Sequence, residues 1–354
     1  MDGVGVAIIG YGLAGSVFHA PLVAATVGLE VRAVVTADPE RRRQAAAAHP
    51  GARLLGTADE LWDDLSGIGL VVVATPNRLH APQTIAALER GLAVVVDKPM
   101  ALSTTEASAM LAAARRAERV LAVFHNRRYD SDFLLLRELV RSGRLGGLLR
   151  LEGRFERFRP DVSAGSWREQ TGADLGGGLL LDLGSHLIDQ ALVLLGPPQS
   201  VYAEIARVRQ GAAADDDCFL ALRFPGGATA HLWMSDLAPS VGPRWRAWGR
   251  RAALEVRGLD PQETHVRAGG RPGDPGFGEP DGSQSAVLTA DGAALDLRLP
   301  AGRWGDFYPA VLAAMAGEAP VPVGGEAGRA VLAVIEAARR SAGTGAAVPP
   351  AAAQ

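Results

Sequence analysis

Short runs of β-branched and aliphatic residues recur through the first 124 positions, each followed by a cap, glycine or proline signal and then by helical periodicity. The runs at 4–9, 30–36, 70–74, 94–96 and 120–124 read as buried strands, with 52–55 as a shorter one. Thr57 with Glu60, and Ser103 with Glu106, are capping-box pairs that open two of the intervening helices. Asp38-Pro39 opens another. Strands alternating with helical crossovers give a doubly wound parallel sheet, which places a dinucleotide-binding domain at 1–124. Near residue 149 the period changes to two. Leu149, Leu151 and Phe155 alternate with Arg150, Glu152, Arg154 and Glu156, the mark of a half-exposed antiparallel strand. Similar stretches follow at 201–209, 218–224, 229–234, 244–248, 253–257 and 288–299. Residues 258–282 read as loop. Helices at 307–315 and 326–340 are expected to return over this second domain, 125–342, and 343–354 to form a flexible tail.

One segment interrupts the sheet pattern. A loop at 159–178 carries Arg159, Trp167 and Arg168. Gly176-Gly177-Gly178 then opens an apolar helix over 179–195, closed by Gly196-Pro197-Pro198.

Composition narrows the class. A chain of 354 residues with 48% hydrophobic and 21% charged residues has material for two globular domains. A formal charge of −3 without a long basic run argues against a nucleic-acid partner. No apolar run is long enough to span a bilayer and no charged-then-apolar leader opens the sequence, so no membrane partner is expected. The lone Cys218 has no intramolecular disulfide partner, which points to a reducing, cytoplasmic setting.

The candidate chemistry gathers at strand ends. Gly10-Tyr11-Gly12-Leu13-Ala14-Gly15 is a G-x-G-x-x-G run between the first strand and its helix. Its glycines permit a tight turn, a close approach of pyrophosphate and close helix packing, and the helix start favours phosphate. About 20 residues on, where an acid would take a ribose 2′-hydroxyl, stands Thr36 instead, followed by Arg41, Arg42 and Arg43. That favours NADP over NAD, although Asp38 could also turn back to the ribose. The carboxyl edge of the sheet is expected to collect Gly10, Thr36, Thr75-Pro76-Asn77, Asp97, Lys98 and Asn126 around the cofactor. His80 either bonds locally at a helix start or lies beside the cofactor. Of the 36 lysines and arginines, Lys98 alone is a lysine, set where a buried valine run ends. In the apolar helix, Asp182 and His186 stand four residues apart and so share a face, with Asp189 three further on. No third strong nitrogen or sulfur donor accompanies them, and no metal is expected.

These segments, taken in order, resemble the Gfo/Idh/MocA family, named for glucose–fructose oxidoreductase and inositol dehydrogenase. They are Gly10 to Gly15 with Ser16-Val17-Phe18-His19, Asp97-Lys98-Pro99, His125-Asn126-Arg127-Arg128, Arg159-Pro160 with Trp167-Arg168-Glu169, and Asp182 through Gln190. The chain is most similar to the branch that holds NADP-dependent scyllo-inositol dehydrogenases. The resemblance implies an N-terminal Rossmann domain and a C-terminal α+β domain with a large, mostly antiparallel open sheet. It implies that Lys98, Asp182 and His186 are catalytic, in hydride transfer between a sugar or cyclitol alcohol and the nicotinamide. Apart from the resemblance, Arg128, Arg159, Trp167 and Arg168 are candidates to hold a hydroxyl-rich or anionic substrate, each equally readable as a scaffold salt bridge or a core aromatic. An open sheet face also suggests a homo-oligomer. Asp97 departs from the family's usual glutamate, and Ala37-Asp38 from the serine or arginine frequent in NADP-dependent relatives. An NAD-dependent glycoside-cleaving enzyme and a non-enzymatic dinucleotide sensor are the competing readings.

Overall fold

A computed structural model describes residues 3–162 and 167–351, and the chain divides into two compact units. The first unit comprises 1–126 with 262–277 and 303–329. Its six strands are β1 (Val4–Ile9), β2 (Leu29–Val35), β3 (Arg53–Leu55), β4 (Ile68–Val73), β5 (Ala93–Asp97) and β6 (Leu121–Phe124). They lie parallel in the order β3-β2-β1-β4-β5-β6. The order reverses direction at β1 and β4, the position where doubly wound sheets take their ligands. Register aligns the strand ends: Ile9 stands opposite both Val35 and Val73, so Gly10, Thr36 and Ala74-Thr75 leave the sheet side by side. Val71 to Val73 and Val94 to Val96 have no exposed surface, as helices on both faces require.

The second unit comprises 127–261, 278–302 and 330–354. Its strands are β7 (Leu148–Glu156), β8 (Ser200–Ala206), β9 (Asp217–Arg223), β10 (Thr229–Ser235), β11 (Trp245–Gly249), β12 (Ala252–Arg257), β13 (Ser285–Ala290) and β14 (Ala293–Leu297). They form one sheet in the order β14-β13-β12-β11-β7-β10-β9-β8, antiparallel except for the parallel pair of β7 and β10. The inward set, including Leu151, Phe155, Leu220, Leu232, Met234 and Trp245, is buried beside the Ser185–Leu195 helix. The opposite face carries half-exposed aromatics under arginines: Arg154 stacks 4.0 Å over Trp233 and Arg150 4.8 Å over Trp248.

Three sequence expectations change here. Residues 262–277 and 303–329, expected with the second domain, pack into the first unit. Trp304 donates its backbone N–H to Gln262 Oε1 at 2.8 Å and packs its ring against Phe18, while Val123 donates to the Val323 carbonyl. Residues 288–299, read as a single strand, contain the turn between β13 and β14. Asp291 and Gly292 both take positive φ there, as a tight hairpin demands. The tail is docked in its first part: after the Gly325–Thr344 helix, Val348 pairs with Val201 and extends the β8 edge.

Candidate active site

The glycine fingerprint of the first unit is shaped by close backbone contacts. Gly10 has φ +93°, and a Cβ there would meet the Ala74 carbonyl at 2.5 Å. A Cβ at Gly15 would meet the Gly10 carbonyl at 2.0 Å, so helix and strand are packed to the backbone. At Gly12 a Cβ would meet only the Arg41 guanidinium, 3.7 Å away. The middle glycine therefore faces a cation. Arg42 reaches toward the Thr36 carbonyl at 3.5 Å, whereas Arg43 is paired outward with Glu40. Asp38 spends one carboxylate oxygen on the backbone N–H groups of Glu40 and Arg41, the cap of the Pro39–Ala48 helix. Those bonds and the neighbouring arginines hold its pKa below the usual value. The glycine cradle thus opens onto Arg41, with the nearby Asp38 carboxylate engaged as a cap.

Other predicted cofactor residues divide by position. Tyr11 is buried, and its hydroxyl lies 3.1 Å from His49 Nε2 at the end of the Pro39–Ala48 helix. Leu13 is 41% exposed, and Ala14 begins a π-helical turn, Ala14–His19. Thr75 bonds Gln83, Pro76 is exposed, and Asn77 and Asn126 are buried at strand ends. Both ring nitrogens of His80 face backbone carbonyls, those of Thr75 and Pro99, each at 2.8 Å. His80 thus ties the loop after β4 to the loop after β5. Asp97 is the last residue of β5 and accepts the Lys98 backbone N–H at 2.8 Å. Lys98 is half-buried and joined to Pro99 by a cis peptide bond.

In the second unit the Asp182–His186 segment is not a plain α-helix. Leu180–Gly184 is π-helical and passes into the α-helix Ser185–Leu195. Such wide turns are frequent at functional positions, and the same device occurs in the fingerprint helix. Gly178 makes it possible: its φ is +96°, and a Cβ would meet Asp215 Oδ1 at 2.2 Å. Asp215 caps the segment, accepting the Leu180 N–H on its carboxylate at 2.7 Å and the Leu179 N–H on its carbonyl at 2.9 Å. Asp182 is half-buried. His186 is 5% exposed and lies beside the Phe155 ring.

The other face of the helix is clamped. Arg128 grips Asp189 with two bonds, 2.8 and 2.5 Å. Burial lowers the pKa of Arg128, but the Asp189 charge and its bonds outweigh that and hold it above its usual value. The guanidinium fork expected to hold substrate is therefore engaged by Asp189, and the same pairing occupies the carboxylate weighed as a metal ligand. Gln190 donates to the Arg127 carbonyl and accepts from buried Arg244, which also pairs with Asp132. Arg159 is exposed, and Trp167 lies in a short helix, Trp167–Gln170. The side chains of Trp167 and Arg168, with residues 163–166, lie outside the described residues. Both ends of that loop are held by Arg209, which is 6% exposed. It donates to the carbonyls of Arg159 and Asp161 and pairs with Glu169, Asp216 and Asp236.

Sequence reasoning did not single out Arg209, Asp215, Arg244 or Tyr308, because their partners are distant in the chain. The only local signal was the Asp215-Asp216-Asp217 run beside a strand start. Among the described residues no group of histidine, cysteine and carboxylate side chains is disposed to hold a metal ion, and no helix is long and apolar enough to cross a membrane.

Comparison with known proteins agrees with the two-part reading. Residues 4–125 match the model of the oxidoreductase family with an NAD-binding Rossmann fold, and 133–255 match the GFO/IDH/MocA C-terminal domain. The chain is 37% identical to the uncharacterized oxidoreductase YdgJ of Escherichia coli over 96% of this chain and 97% of that one. It is 34% identical to the scyllo-inositol 2-dehydrogenase (NADP(+)) IolW of Bacillus subtilis, over 96% and 94% of the two chains. Among solved structures, the Bacillus subtilis protein yvaA, described as an oxidoreductase, superposes with a TM-score of 0.92 at 33% identity, covering 98% of both chains.

Proposed function

Because the chain belongs to the GFO/IDH/MocA family of NAD(P)-binding oxidoreductases, we propose that it moves a hydride between a secondary alcohol of a sugar or cyclitol and the nicotinamide of NADP. The observation that carries this reading is the buried His186 at a π-to-α junction, one turn from Asp182, in a chain whose single lysine directly follows strand β5. Oxidising an alcohol requires its hydroxyl proton to leave as the hydride departs. The His186 imidazole takes this proton. The Asp182 carboxylate orients the ring and stabilises the imidazolium. The Lys98 ammonium hydrogen-bonds the reacting oxygen and offsets its developing negative charge. The nicotinamide, when bound, supplies the hydride acceptor. Arg41 and Arg42 hold the 2′-phosphate, and Arg159, Trp167 and Arg168 contact the hydroxyl-rich substrate. An inositol dehydrogenase among the relatives supports a polyol substrate. The arginine-over-aromatic face of the second sheet supports assembly into a homo-oligomer, and the lone Cys218 a cytoplasmic setting.

A panel of polyols and sugars, scyllo-inositol included, assayed with NADP and NAD in parallel tests the proposal. At least one polyol should turn over with net change in cofactor absorbance. Lys98→Met, Asp182→Asn and His186→Ala should each cut kcat by about 10²-fold or more while dinucleotide affinity is unchanged. Near-normal turnover in all three variants would remove the assignment.

A further inference from the structure

His19 is fully buried in the first unit, and the proposed chemistry makes no use of it. It ends the π-helical turn that begins in the glycine fingerprint. Its ring packs on Phe124 with centroids 4.2 Å apart, and its Nδ1 lies 2.6 Å from the hydroxyl of Tyr308. Tyr308 is itself fully buried, in the Phe307–Met315 helix. The other ring nitrogen, Nε2, has no hydrogen-bond partner and stands 3.9 Å from Asp97 Oδ1. That same oxygen accepts the backbone N–H of Lys98. A buried polar atom left without a bond costs about 1–3 kcal/mol and calls for an explanation.

The polarity of this chain of groups is fixed by its ends. Burial lowers the pKa of His19 to about 4, so the ring is neutral near neutral pH and carries one N–H. A carboxylate faces Nε2, which places the proton there. Nδ1 is then the acceptor, and the Tyr308 O–H donates to it. The gap of 3.9 Å is longer than a hydrogen bond and too short for a water in line, so the N–H dipole of the neutral ring points at the carboxylate across a direct gap.

We propose that Tyr308 and His19 are positioning residues for Lys98: the tyrosine sets the imidazole tautomer, the imidazole orients the Asp97 carboxylate, and that carboxylate fixes the backbone from which the Lys98 side chain departs. The geometric part stands by itself. Its effect on rate rests on the reading that Lys98 acts on the reacting oxygen.

The chain's single lysine makes the geometric part observable without any substrate. Protein labelled only with [15N]lysine gives one backbone amide signal, that of Lys98. Asp97→Asn, His19→Phe and Tyr308→Phe should each move that signal, and the exchange of the Lys98 amide should quicken about tenfold. If His19→Phe does not fold, Tyr308→Phe, which removes one oxygen, carries the test. A signal that moves in Asp97→Asn but stays in place in the other variants overturns the proposal. With a substrate in hand, His19→Phe and Tyr308→Phe should lower kcat about tenfold and leave NADP affinity within twofold. Combining His19→Phe with Asp97→Asn should cost no more than Asp97→Asn alone, since the route to Lys98 runs through Asp97. Multiplicative losses would overturn the relay. Normal turnover in Lys98→Met, with the amide signal still responsive to Tyr308→Phe, would overturn the role of Lys98 and leave the geometric assignment standing.

Discussion

The Asp38 carboxylate and the Arg41 guanidinium begin the same helix, and their surroundings divide the tasks of the cofactor site between them. Asp38 is engaged by the N–H groups of Glu40 and Arg41. Arg41 lies over Gly12, and Arg42 reaches back to Thr36. A charge-assisted bond is worth about 1.5–3 kcal/mol, so losing one weakens phosphate binding roughly 10–100-fold. Arg41→Ala and Arg42→Ala should therefore raise the NADP dissociation constant by about that factor and leave the NAD constant nearly unchanged. Equal losses for both dinucleotides, measured by fluorescence titration, would place these arginines away from the 2′-phosphate. The fingerprint glycines and the Arg41–Arg43 run were legible in the sequence. The engagement of Asp38 was legible only as the cap signal Asp38-Pro39, and its consequence for the ribose needed the orientation of the carboxylate.

At the scale of elements, the helix bearing His186 depends on contacts from three other segments. Asp215 caps its start, Arg128 and Gln190 bind it to the segment after β6, and Arg244 enters from β11's approach. Asp189 is 2% exposed and holds Arg128 with two bonds. Removing one partner of a buried pair leaves the other charge uncompensated, at a cost of about 3–5 kcal/mol. Asp189→Asn should lower the stability measured by denaturant titration by that order. It should also reduce kcat through the displaced helix, and the stability loss should exceed that of Asp182→Asn. The i, i+4 spacing of Asp182 and His186 was plain in the sequence, as was the glycine run before it. The π-helical turn was not, because the Asp215 cap that holds its start reaches Leu180 from 35 positions away.

For the whole molecule, the feature of greatest consequence is the half-exposed aromatic face of the eight-stranded sheet. Phe219, His231 and Trp233 stand together there beneath Arg154, half-exposed. Burial lowers the pKa of His231, with Arg150 adding to the effect, so this imidazole is neutral near neutral pH and presents an aromatic surface. In the proposed homo-oligomer a second copy would cover this face, which Arg150, Glu152, Arg154 and Glu156 of β7 cross. Sedimentation of the wild-type protein should give an oligomer, and Phe219→Asp combined with Trp233→Asp should dissociate it. A monomer at micromolar concentration in the wild type would refute the assignment.

The order of strands and helices, the parallel sheet and the change to alternating strands were fixed by local periodicity and by spacing along the chain. These signals survive because burial acts on each segment's own face. Tertiary structure decided the rest: that 262–277 and 303–329 pack with the first unit, that Arg128 grips Asp189, and that His19 and Tyr308 stand behind Asp97. Each of these joins residues far apart in the chain, and the free energy of such a contact depends on its partner, which no window of sequence contains.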